Sequence, residues 1–156
     1  MKDIGNELMP WVGRTAKMMG LVLTEKFQAH GLDLTKIQWL LLSRLCEKDG
    51  QLQKELAFLT GRDKTSLGRL VTTMERKGFI NRIPMESDKR TKQIFLTDKG
   101  KTTYLQAVPV VQMTILEVQH NIPSEKLEMA IEVLKQIQHN INQMNNNSVD
   151  VEQDCY

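Results

Sequence analysis

A chain of 156 residues, 40% hydrophobic and 26% charged, has the length and balance of one globular domain, which excludes a disordered or membrane-embedded protein. Its longest apolar run, Trp39 to Leu42, is far short of the roughly 18 residues that span a bilayer, and the start Met1-Lys2-Asp3-Ile4 has no signal-peptide apolar region. The expected location is the cytoplasm, with no membrane partner.

Along the chain, Leu8, Trp11, Val12, Thr15, Met19, Val22, Leu23 and Phe27 recur at steps of three and four. They predict one long amphipathic helix over about 4–30, ending near His30-Gly31. Thr35 and Gln38 form a capping-box pair ahead of Ile37, Leu40, Leu41 and Leu45, so a second helix runs to about Glu47 and stops at Asp49-Gly50. A short helix around Glu55, Leu56 and Ala57 ends at Thr60-Gly61. Asp63 then caps a helix whose buried stripe is Leu67, Leu70, Val71 and Met74, closed by Lys77-Gly78.

Two β-prone runs follow, Phe79–Ile83 and Gln93–Leu96, joined by a charged loop over 84–92 into a hairpin. Thr97 caps a connecting helix over about 98–120, with Tyr104, Leu105, Val108, Val111, Ile115 and Leu116 as its apolar residues. Ser124 opens a last helix over about 124–144, with Leu127, Ile131, Leu134, Ile137, Gln138, Ile141 and Met144 on one face. The Asn-rich, then acidic tail of 145–156 is expected to be disordered. No linker divides the chain, so residues 1–144 are expected to form a single domain.

Little in this sequence points to catalysis or metal binding. Cys46 and Cys155 have no CxxC spacing, and His30, His120 and His139 have no partner at ligand spacing beyond Glu117 with His120. No nucleophile with a base, paired-carboxylate cleft or phosphate loop is visible, so the reading is a non-enzyme with no metal and no cofactor. Cys46, next to Leu45 near a helix end, is expected to be buried.

The charge is more informative. Residues 62–101 carry eleven Lys or Arg against five Asp or Glu, a segment of +6, which leaves −4 for the rest of a +2 chain. A basic patch on an acidic body is the electrostatic footprint of a nucleic-acid binder. Three short helices followed by a hairpin make a winged helix-turn-helix, whose third helix reads DNA. The outward face of that helix supplies Lys64, Thr65, Ser66, Arg69 and Thr73, short hydroxyls and cations suited to base edges and phosphates. The hairpin tip adds Lys89, Arg90 and Lys92, with Arg90 placed to enter a narrow minor groove; Asp88 would orient a neighbouring arginine. The alternative use of such a lobe, docking a protein, would more often expose apolar anchors there.

The series Arg82, Pro84, Asp88 and Arg90, leading to Leu96, Thr97 and Gly100, resembles the wing signature of the MarR family, R-x-P-x-x-x-D-x-R followed by L-T-x-x-G. Glu55-Leu56-Ala57, Asp63 to Val71 and Glu75 to Gly78 are similar to that family's turn and recognition helix without gaps. Leu52 departs from the family's usual Thr or Ser cap, and Gly68 from a common hydroxyl residue. The resemblance implies a mainly α fold with a small β-hairpin wing, in a homodimer whose first and last helices interlock and whose two lobes meet double-stranded DNA at a pseudo-palindromic site. It further implies a repressor released by a small aromatic or anionic effector, or by cysteine oxidation. Trp11, Met18, His30 and Trp39 are the expected lining of an effector pocket, apolar walls with one polar group.

Overall fold

The computed structural model describes residues 4–153, without the side chains of 58, 59 and 145–153. The expectations for 1–3 and 154–156 lie outside the described residues. After a 3-10 turn at Ile4–Asn6 come α1 (Leu8–Ala29), α2 (Lys36–Glu47), β1 (Gln51–Leu52), α3 (Gln53–Thr60), α4 (Lys64–Arg76), β2 (Ile80–Pro84), β3 (Lys92–Leu96), α5 (Asp98–Val118) and α6 (Ser124–Gln153). The chain divides after Val118 into two compact units, where the sequence pattern suggested one domain through residue 144.

Local chemistry sets most helix ends. The Thr35 hydroxyl accepts the Gln38 N–H at 3.3 Å while the Gln38 side chain accepts the Thr35 N–H at 3.1 Å, a reciprocal cap that starts α2. At the end of α4, Gly78 adopts φ +75°, and the next residue, Phe79, donates its N–H to the Met74 carbonyl at 3.0 Å. That left-handed residue turns the chain out of the helix and directly into β2.

The core of the first unit gathers Phe27 of α1, Leu41, Leu42 and Leu45 of α2, Leu56 of α3, Leu67, Val71 and Met74 of α4, and Ile80 and Ile94 of the sheet, all essentially inaccessible. Each such side chain contributes about 1.5–3 kcal/mol by leaving water. They pack the four helices α1–α4 and the wing around one core, which is what orients α4.

Several expectations are corrected here. The wing is a three-stranded antiparallel sheet in the order β1-β3-β2, in which Ile80 faces Leu96, Pro84 faces Lys92 and Gln51 faces Ile94. The added strand has two residues, too short for any periodicity, and it forms because β3 offers it a pairing edge. Within α5 the buried face is Ala107, Val110, Val111 and Thr114, whereas Leu105, Ile115 and Leu116 are exposed. Thr114 is tolerated inside because its hydroxyl donates to the Val110 carbonyl at 2.8 Å.

Of the α1 stripe only Leu23 and Phe27 are buried, and Leu8, Trp11, Val12 and Met19 stand in solvent. Cys46 is exposed, because Leu42 and Leu45 take the inward side of that turn. Packing around its sulfur still pushes the thiol above the ordinary cysteine value, which disfavours the thiolate needed for oxidation sensing. The second unit is α6 with the turn before it. Ile131, Leu134 and Ile141 on its apolar face are exposed, and the helix runs past Asn145, where disorder was expected, to Gln153. No helix among the described residues is long and apolar enough to cross a membrane.

Candidate nucleic-acid interface

α4 begins at Asp63, whose carboxylate accepts the Ser66 N–H at 2.9 Å and the Ser66 hydroxyl at 2.7 Å. These bonds to the ionised form hold the Asp63 carboxyl below the usual range, the backbone bond most strongly. They also occupy the hydroxyl proton of Ser66. The Thr73 hydroxyl is likewise engaged, donating to the Arg69 carbonyl at 3.0 Å. Both hydroxyls therefore have mainly oxygen lone pairs left to offer, whereas Lys64, Thr65 and Arg69 are exposed. Thr72, which was not singled out from the sequence, is exposed on the same helix; a shallow depression of about 510 Å³ is lined by Thr65, Arg69, Thr72, Thr73 and Arg82.

The tip of the wing is built by Asp88. Its carboxylate accepts the Arg90 N–H at 3.0 Å and the Thr91 hydroxyl at 2.7 Å, and its carbonyl accepts the Thr91 N–H at 3.0 Å. The Thr91 hydroxyl, then the Arg90 N–H, lower the Asp88 pKa. Asp88 thus orients Arg90 through the main chain of the turn and not by gripping its guanidinium. Lys89, Arg90 and Lys92 are all exposed.

Between the wing and the first turns of α3 and α4 lies a cleft of about 550 Å³. Five cations line it, Lys54, Lys64, Arg82, Arg90 and Lys92, with no acid among its lining residues. Cations gathered in a concave site focus a positive potential suited to a run of phosphates. Lys54 escaped the sequence reading because it sits on α3, outside the basic segment, and reaches this cleft only through the packing of α3 on α4. Arg82 was visible in the wing signature but had no assigned task. It lines both concavities, its backbone N–H donates to Glu75 Oε1 at 3.3 Å, and its Nε donates to Glu75 Oε2 at 2.9 Å, with Nη2 on the same oxygen.

The two departures acquire local explanations. Leu52 keeps half of a cap, its N–H donating to the Glu55 carboxylate at 2.8 Å, and its backbone pairs with Gln93 in the sheet. A Cβ at Gly68 would touch the Gln53 side chain at 3.5 Å, so this position marks the approach of α3 to α4.

These elements, in this order, can be set beside known proteins. Residues 34–92 match the MarR family. That segment is a MarR-family domain. It spans α2 to the start of β3 and contains every cation of the cleft. An uncharacterized HTH-type transcriptional regulator, YybA, of Bacillus subtilis (strain 168) is 34% identical over 99 residues, 64% of this chain and 65% of its own length; the match thus spans just under two thirds of that relative. A crystal structure of the transcriptional regulator SlyA superimposes with a TM-score of 0.78 at 26% identity, covering 88% of this chain and 96% of the other. The transcriptional repressor CouR, bound to a 23-mer DNA duplex, gives 0.78 at 21% identity over 88% and 96%. CouR from Rhodococcus jostii RHA1 bound to p-coumaroyl-CoA gives 0.73 at 20% over 88% and 95%. The winged helix is therefore the shared fold.

The four residues expected to line an effector pocket sit in different surroundings. His30 lines a groove of about 450 Å³ with Leu32, Pro109 and Met113, its Nδ1 2.8 Å from the Lys26 carbonyl oxygen. Trp39 stacks on Tyr104, with ring centres 6.4 Å apart, and its Nε1 is buried without a hydrogen-bond partner among the described residues. Trp11 lies under the Arg14 guanidinium, and both Trp11 and Met18 are largely exposed. Among the described residues no group of three His, Cys, Asp or Glu is placed to hold a metal.

Proposed function

We propose that this chain is a sequence-specific transcriptional repressor that binds a pseudo-palindromic operator in double-stranded DNA as a homodimer and responds to a small aromatic or anionic effector. The observation that carries the DNA reading is the acid-free cleft of five cations beside the outward face of α4. Lys64, Thr65, Ser66, Arg69 and Thr73 would meet the major groove, with Arg69 reading a base edge. Lys89, Arg90 and Lys92 would follow the phosphates into the neighbouring minor groove.

Dimerisation is supported by apolar surface that a soluble monomer rarely leaves open. Trp11 and Met19 of α1, Met113 and Leu116 of α5, and Ile131 and Ile141 of α6 are each 45% or more exposed. The effector response is supported by the CouR complex with p-coumaroyl-CoA and by the His30 groove, which is of a size to take a small ring.

The test is selection from a random duplex pool, with binding of the enriched sequence measured across salt concentrations. The expected result is an inverted repeat with half-sites ~10 bp apart and a log-log salt slope near −7, for roughly eight phosphate contacts. Failure to bind any duplex at low salt would reject the proposal. Repression is then tested with that sequence placed over a reporter promoter.

A further inference from the structure

We infer that Arg82 contacts a DNA phosphate at the junction of helix and wing, and that Glu75 is a positioning residue that restrains it and thereby sets the discrimination between specific and random DNA. The inference rests on the DNA reading above. Arg82 borders both the α4 depression and the wing cleft, so a duplex backbone passing from one to the other must cross it. Its side chain is 24% exposed, and Glu75 holds it by three donors, the backbone N–H, Nε and Nη2. The remaining amino group, Nη1, has no hydrogen-bond partner among the described residues, and it is the edge left for an external oxygen.

The consequences follow from charge and geometry. Glu75 lines neither concavity, yet its carboxylate lies against Arg82 and feels the attraction of Lys92, both of which hold it ionised. A carboxylate so placed offsets one positive charge and fixes one guanidinium plane. An anchored arginine accepts a phosphate at one position only, which favours the register in which α4 also meets its bases. A released arginine would pair with phosphates in any register, raising affinity for random DNA without adding sequence information.

The experiment compares wild type, Glu75→Gln, Arg82→Gln and the double variant on a random 30-bp duplex pool and on the duplex enriched by selection. Thermal melts establish folding first. Glu75→Gln keeps the side-chain shape and removes the charge. It is expected to steepen the salt slope on random duplex by about 0.9, to bind that duplex more tightly, and to lower the ratio of enriched to random affinity. Arg82→Gln is expected to make the slope shallower by about 0.9, and the double variant to match Arg82→Gln. An unchanged random-duplex slope in Glu75→Gln overturns the inference. So does an unchanged slope in Arg82→Gln, which decides the matter if Glu75→Gln does not fold. No binding by wild type itself would instead reject the DNA reading.

Discussion

Replacing Gly100 by alanine tests whether the start of α5 is locked to the winged-helix lobe by close backbone contact. Judged by helix propensity alone, alanine should stabilise a helical position by about 1 kcal/mol. The structure reverses the sign. A Cβ on Gly100 would lie 2.1 Å from the Phe79 carbonyl oxygen, 3.0 Å from its carbon and 3.3 Å from Leu96 Cδ2, and contacts under 3.0 Å are essentially never found. The obstacle is main chain, which cannot swing aside as a flexible side chain would.

Nor can that carbonyl move freely. The Phe79 oxygen accepts the Thr97 N–H at 3.1 Å, and the Thr97 hydroxyl donates to the Gly78 carbonyl at 2.6 Å while accepting the Gly100 N–H at 3.0 Å. Relieving the clash breaks part of this knot and opens the packing beneath it, for a net loss of about 2–4 kcal/mol. Thermal unfolding followed by circular dichroism should then show a midpoint lower by roughly 4–16 °C. An alanine variant melting at or above wild type would refute the reasoning and leave the Leu96-Thr97-x-x-Gly100 series without its structural explanation.

Four further outcomes are expected. Arg69→Ala should relax sequence preference and cost ~1–3 kcal/mol in binding to the selected duplex, measured by fluorescence anisotropy. Arg90→Ala should weaken binding to most duplexes alike, with the salt slope shallower by about one phosphate contact. Thr35→Ala removes the hydroxyl half of the α2 cap and should cost about 1 kcal/mol in urea unfolding. The Arg82 side chain, bonded to the Glu75 carboxylate, lowers the Glu75 pKa; the stability it contributes is therefore full above the unfolded Glu value and is lost as pH falls through the folded one. The gap in urea midpoint between wild type and Glu75→Gln should accordingly be widest at neutral pH and close on acidification.

Much of the candidate interface was legible from local signals. Asp63 reads as an N-cap because its short carboxylate reaches the free N–H groups of the first turn, and it does so in the structure. The stripe Leu67, Leu70, Val71 and Met74 is buried as its spacing requires, which leaves Thr65 and Arg69 outward by default. The region of positive charge was countable. What could not be counted was Lys54, three elements away from Arg90 in the chain, or the engagement of the Ser66 and Thr73 hydroxyls inside their own helix. Asp88 stands out as an acid in a basic loop, and its carboxylate's partners are the Thr91 hydroxyl and the Arg90 main-chain N–H.

From sequence alone the order and type of the helices, their caps, the outward face of α4 and the basic wing followed, because each depends on contacts within a few residues or on a repeating period. The two-residue strand β1, the inward face of α5 and the exposure of Cys46 depended on which neighbours arrived. So did the meeting of Lys54, Lys64, Arg82, Arg90 and Lys92 around one cleft. Those outcomes were decided by tertiary packing, since a strand too short to show a period, or a helix apolar on more than one side, takes its orientation from what it packs against.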